Sequence, residues 1–182
     1  MLRRLVLVVA LLTLGFAATP AHAVDFNFVA GFDYTGDFES ENFELDANSG
    51  YHAGLELMWE PLSHLEIGVG AEYGFPRDSD DTLTDSDLDY WMVAGIARVF
   101  LVGKDVRWYL IGRLGYVDLS SDDIQNGELS GKEQYSAGTG IQFGDRIKLE
   151  ALFNSFNADI DVSGLEADFE YTNYSARIVF TF

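Results

Sequence analysis

The chain predicts an all-β fold, an eight-stranded antiparallel up-and-down transmembrane β-barrel. Three observations lead there. Period-two alternation recurs in segments of membrane-crossing length, short and long connections alternate, and the last strand runs to a terminal Phe. In Tyr171–Phe182, Thr172, Tyr174, Ala176, Ile178, Phe180 and Phe182 share one face, and Asn173, Ser175, Arg177, Val179 and Thr181 the other. A period of two is that of a strand whose faces meet different surroundings.

The N-terminus reads as an export signal. Arg3 and Arg4 precede the apolar run Leu5–Phe16, and Ala21-His22-Ala23 offers a cleavage site. That run is too short to span a bilayer as a helix. The expected division is therefore a signal peptide over 1–23, cleaved after Ala23, and one barrel domain over 24–182. No other run is long enough for a spanning helix, so a membrane-embedded mature chain would have to cross with strands.

Period-two segments lie at 24–35, 50–60, 65–75, 90–101, 107–117, 134–143, 147–156 and 171–182. A tilted strand needs about 9–11 residues to cross a bilayer, so each is long enough. The connections Pro61–His64, Val102–Val106 and Gly144–Arg146 are short; 36–49, 76–89, 118–133 and 157–170 are long. An even strand number with tight turns at one end and long loops at the other is the layout of a membrane barrel.

Composition sharpens the picture. The chain has 11 basic and 30 acidic residues, a net charge of −19, and no Cys, which excludes disulfides and thiol chemistry. The four long connections hold 21 of the acids and only Arg77 and Lys132 as bases. Such acidity excludes nucleic acid as a partner, because phosphate binding needs clustered Lys and Arg.

The faces are consistent with lipid contact. Leu65, Ile67, Val69, Ala71, Tyr73 and Phe75 alternate with Glu66, Gly68, Gly70, Glu72 and Gly74, and Tyr51, Ala53, Leu55, Leu57 and Trp59 with His52, Gly54, Glu56 and Met58. With strands run up and down, Phe26, Phe28, Trp59, Trp108, Phe143, Phe180 and Phe182 fall near the short-turn end. Tyr34, Tyr51, Tyr73, Phe75, Tyr116, Tyr135 and Tyr174 fall near the other. Two aromatic girdles around an aliphatic band match the headgroup levels of a bilayer. In Tyr90–Leu101 both faces are apolar; Arg98 is placed inside, since Arg facing lipid at the midplane costs about 2–4 kcal/mol.

The inward set then holds Glu56, Glu66, Glu72, Glu150, Arg98, Arg107, Arg113, Lys148 and Arg177. Near balance of charge predicts ion pairing across a lumen that eight strands leave just wide enough for side chains. A proton or ion relay is the functional alternative to this structural network.

The closing Ala176-Arg-Ile-Val-Phe-Thr-Phe182 resembles the C-terminal signature of small bacterial outer-membrane barrels of the OmpA transmembrane-domain and OmpX type. The resemblance implies a bacterial outer-membrane location with the long loops outside, contact with outer-membrane lipid and lipopolysaccharide, and recognition of the last strand by the barrel-assembly machinery. Tyr174, Ile178, Phe180 and Phe182 would carry that assembly signal. Fold alone does not set an activity.

Three functions remain: a structural or surface-interaction protein displaying four acidic loops, a narrow conduit for ions or hydrophobic solutes, and a lipid-modifying enzyme. His52 and His64 are the only histidines after residue 23, and no Ser and acid beside them form a recognisable motif, so no catalytic residue and no cofactor are expected. Asp78–Asp89 fails the EF-hand pattern, with Leu83 at the turn glycine and Asp89 at the bidentate Glu, which leaves weak divalent-cation binding at the acidic loops as an expectation. Pro61 in a turn and Pro76 at a strand end mark no break within a strand, so nothing points to lateral opening. A monomer is expected. Unboiled protein should run faster than boiled protein on a denaturing gel; identical migration with full solubility in the absence of detergent would refute the membrane barrel.

Overall fold

The structure, a computed structural model, describes residues 24–34, 36–40, 43–77, 88–103, 105–121, 127–162 and 165–182. The expected signal peptide lies outside the described residues. Ten strands and no helix make up the described chain: β1 (Val24–Asp33), β2 (Gly36–Ser40), β3 (Phe43–Ala47), β4 (Gly50–Leu62), β5 (Leu65–Arg77), β6 (Leu88–Val102), β7 (Val106–Ser121), β8 (Gly127–Phe143), β9 (Ile147–Val162) and β10 (Leu165–Thr181). Eight of them, β1 and β4 to β10, pair antiparallel with their neighbours in turn, and β10 returns to β1.

Closure runs from Asn27 opposite Thr181 to Asp33 opposite Ser175. Phe182 extends it, its N–H donating to Phe26 O at 2.9 Å, and the two rings sit 6.5 Å apart. Closing the sheet leaves no unpaired edge along the membrane-crossing part, which is why the chain must pair to nearly its last residue.

The strands are longer than the alternation of apolar and polar residues shows. β2 continues β1 and β3 continues β4 in one register, Asp33 opposite Gly50 and Gly36 opposite Ala47. Likewise β8 and β9 pair from Phe143–Ile147 to Gly127–Val162, and β9 and β10 up to Val162–Leu165. The segments expected as loops at 36–49, 118–133 and 157–170 are thus mostly hairpin. Residues 78–87, the bulk of the fourth acidic connection, lie outside the described set. The physical reason is plain: a strand that has left the bilayer meets water on both faces, so alternation fades while the backbone ladder continues.

The short turns match expectation. Gly103 and Gly144 adopt positive φ, 116° and 56°, the left-handed region that costs a glycine least. Pro61 and Pro76 sit where the ladders of β4–β5 and β5–β6 shift register, consistent with a residue that has no N–H to donate.

Facing follows parity throughout. Tyr90, Met92, Ala94, Ile96, Arg98 and Phe100 of β6 are buried in the lumen, and Trp91, Val93, Val99 and Leu101 are exposed on the outer wall. Several inward glycines act as seats for large partners directly across the ladder. A Cβ at Gly74 would lie 2.0 Å from the Tyr90 ring, one at Gly140 2.3 Å from Tyr109, and one at Gly31 2.1 Å from His52. The bulky inward side chains therefore fold flat against bare backbone, and the interior fills. Gly74→Ala should destabilise the barrel by about 1–3 kcal/mol in urea unfolding. Because the clash is with one ring, its combination with Tyr90→Ala should cost less than the sum of the two; strict additivity would refute the seat.

Candidate functional site

The lumen is the site, and its centre is an ion cluster. Arg98 stands at the middle of it with no exposed surface. Its Nε donates to Glu150 Oε1 at 2.7 Å, and its Nη2 donates to Glu56 Oε2 at 2.8 Å and Oε1 at 3.1 Å. Its Nη1 lies 3.7 Å from Glu66 Oε2. Arg177 approaches the same acids from β10: Nη2 is 2.7 Å from Glu56 Oε1 and 2.9 Å from Glu72 Oε1, and Nε is 3.4 Å from Glu150 Oε2. Arg113 holds Glu72 with both terminal nitrogens, at 2.7 and 3.2 Å, and Lys148 Nζ donates to Glu66 Oε2 at 3.0 Å. Asn27 donates to Glu56 at 3.1 Å and the Tyr109 hydroxyl to Glu150 at 2.9 Å.

Register explains the meeting. Glu66 lies directly opposite Arg98 on the β5–β6 ladder, and Glu150 opposite Arg177 on β9–β10. Asn27 lies opposite Glu56 on β1–β4, and the remaining ion pairs join strands that are not ladder neighbours. Guanidinium groups suit this work, because a planar fork of donors can serve two or three carboxylates at once. A charge taken from water without such partners would cost several kcal/mol.

Layers above and below close the cluster in. Beside it Met58, Ile96, Phe100, Tyr109, Ile111 and Leu152 form one buried apolar group. Towards the hairpin end Tyr90, Met92, Val117, Phe156 and Tyr171 form another, with Phe156 stacked on Tyr171 at 5.6 Å. Between this stopper and the ion cluster runs a polar chain. The Gln134 amide donates to Ser136, Ser136 to Asn154 Oδ1 at 2.7 Å, and Asn154 to Asn173 Oδ1 at 2.7 Å and Ser175 at 3.0 Å.

Arg107, expected among the inward charges, stands apart from the cluster. It is half-exposed at the short-turn mouth, stacks on Phe100 at 3.7 Å, donates to Ser63 O at 2.8 Å and lies 3.7 Å from Glu60. It sits too near the strand end to reach the centre. Missed at the sequence level were Asn27, Asp33, Tyr90 and Tyr109, all on inward parity; parity could have found them, but attention to charge passed over neutral donors and a carboxylate near a strand end. His52 points inward and is buried, its Nδ1 3.1 Å from Asp33 Oδ1, while His64 is exposed in a turn. Of the terminal residues, Tyr174 and Phe182 are exposed on the outer wall and Ile178 and Phe180 are half-exposed there. Asp89 accepts a hydrogen bond from Tyr73 at 2.7 Å; the rest of the acidic run, 78–87 and Leu88, is not described at side-chain level.

A profile of the outer membrane protein beta-barrel domain matches residues 7–182. The chain belongs to this family. It is therefore an outer-membrane β-barrel protein, and the exposed wall of Leu, Val, Phe and Trp faces lipid. Among solved structures it is similar to the Neisserial surface protein A, at 14% identity and TM-score 0.54, covering 86% of this chain and 97% of that one. It is also similar to the outer membrane enzyme PagL, at 14% identity and TM-score 0.51, covering 83% of this chain and 97% of that one. At that identity the likeness is one of fold. A search of curated proteins gave no match. The family holds proteins of different activities, so function must be argued from the lumen and the surface.

Replacing Arg98 by Met should destabilise the barrel by about 3–5 kcal/mol, since three carboxylates lose a shared partner in a dry interior. Lys148→Met, which touches one acid, should cost less in the same urea titration; equal losses would contradict the central place of Arg98.

Proposed function

We propose that this outer-membrane barrel is a closed, membrane-anchored cylinder that presents acidic hairpins to the exterior, a structural or surface-interaction protein. One observation carries the reading: Glu56, Arg98, Lys148, Met58, Tyr109 and Val29 fill the lumen with less than 2% of their surface accessible. A conduit for ions needs polar side chains accessible along its length, and these present almost no accessible surface. The acidic residues concentrate in the segments that join strands at the end opposite the tight turns, and such a surface would steer cationic partners and repel anionic ones. Contact with lipopolysaccharide would then call for bridging divalent cations at those segments, and the assembly machinery would meet Tyr174, Ile178, Phe180 and Phe182 on the closing strand.

The non-catalytic reading rests on His52. Its ring lies inside the wall, seated on Gly31, where an outer-leaflet lipid cannot reach it. The protein reconstituted in planar bilayers should carry no unitary current at moderate voltage. Stepwise openings in the unaltered protein would overturn the closed cylinder in favour of a channel.

A further inference from the structure

A hairpin sets the register of its own two strands, because the turn leaves them one way to meet. One ladder of the cylinder has no such turn. β4 to β10 pair in chain order, and β1 and β4 are joined through the β2–β3 hairpin in one register. The seam pairs β1 with β10, the first and last described strands. The pairing of β10 with β2 is out of step with it. Continued from Asp33 opposite Ser175, an unbroken ladder would put Asp37 opposite Tyr171, and Asp37 lies opposite Thr172. Alternation leaves a further freedom, since a slip of two residues keeps every side chain on its own face. Choosing one alignment of the seam therefore needs a contact that depends on position.

Arg177 is the one cation on either seam strand. It lies opposite Gly31 on β1 and opposite Glu150 on β9. Its buried guanidinium passes over β1 to acids on the two strands beyond. Nη2 is 2.7 Å from Glu56 Oε1 on β4 and 2.9 Å from Glu72 Oε1 on β5, while Nε stands 3.4 Å from Glu150 Oε2. One side chain thus grips both sides of the seam. Arg98, Arg113 and Lys148 pair instead with acids on β4, β5 and β9, contacts that fix neither seam strand.

We infer that Arg177 is the register strap of barrel closure, selecting the alignment of β10 on β1 that brings its guanidinium to Glu56 and Glu72 together. A slip of two residues would set Arg177 opposite Val29 or Asp33. It would carry the guanidinium about 7 Å along the seam and break the simultaneous hold on both acids. The stagger of a barrel is linked to its shape, so the alignment at the seam also decides which inward residues meet across the lumen.

The chain has no Cys, so introduced thiols can read the register. Ala30 lies opposite Ile178 on the outer wall, and would meet Ala176 or Phe180 only after a slip. Opposed residues sit about 4.5–5.5 Å apart at Cβ and diagonal ones about 7–8 Å. A short thiol-bridging reagent, applied to the whole barrel refolded in lipid vesicles, separates the two cases. With Arg177 in place, Ala30→Cys with Ile178→Cys should bridge in large excess over either slipped pair. Arg177→Met should raise the ratio of slipped to native bridging by about tenfold or more, as the loss of one charge-assisted hydrogen bond allows. Arg113→Met also deprives Glu72 of a guanidinium but lies on β7, and should keep the native pair dominant. An unchanged ratio in Arg177→Met, or the same shift in Arg113→Met, would overturn the strap. Should Arg177→Met fail to fold, Glu72→Gln decides, since it removes one anchor beyond β1. A slipped pair should rise there too, and a ratio equal to that of the unaltered lumen overturns the proposal.

Discussion

Everything inside this barrel depends on one constraint: a charge removed from water must find its opposite within hydrogen-bond reach. Arg98 meets that constraint with Glu56 and Glu150, with Glu66 at 3.7 Å as a third ion-pair partner, and Glu56 in turn is shared by Arg98, Arg177 and Asn27. The sharing matters more than any one contact. A single buried ion pair often gains little over a well-packed apolar pair, because desolvation consumes most of the attraction. Four acids and four bases in one connected cluster avoid leaving any of them alone, and they tie β4, β5, β6, β7, β9 and β10 together across the cylinder. The walls are held by backbone ladders; the cluster fixes how those walls face one another.

The lipid face and the lumen are two answers to the same solvent problem. Outside, Leu55, Leu57, Val93, Leu110 and Leu114 meet hydrocarbon, with Tyr51, Trp91, Tyr135 and Tyr174 towards one interface and Phe26, Trp108, Phe143 and Phe182 towards the other. Inside, glycines and large side chains alternate across the ladder so that rings and long chains lie flat. Such packing buries the ion cluster, and burial strengthens each hydrogen bond within it.

Much of this was legible in the residues alone. A period of two sorted lumen from lipid on every strand, including 90–101, where the placement of Arg98 turned on the cost of a guanidinium in lipid. The alternation of connections set the strand number and direction. What remained hidden has physical causes. Which carboxylate meets which base depends on the stagger between strands, and nothing in a single strand's pattern encodes it. Arg107 and Arg98 share inward parity, yet only depth along the strand separates a mouth residue from a central one. The hairpins above the bilayer kept their ladders after losing alternation, so 36–49, 118–133 and 157–170 looked like loops.

The central claim is that the ion cluster is dry and closes the lumen. Water-to-protein polarisation transfer, measured by solid-state NMR on the barrel in lipid bilayers, reads this at each guanidinium. Arg107, half-exposed at the mouth, should receive magnetisation from water quickly, and Arg98 and Arg177 slowly. Build-up at Arg98 as fast as at Arg107 would mean that water reaches the centre, and the account of a closed, charge-locked cylinder would be wrong.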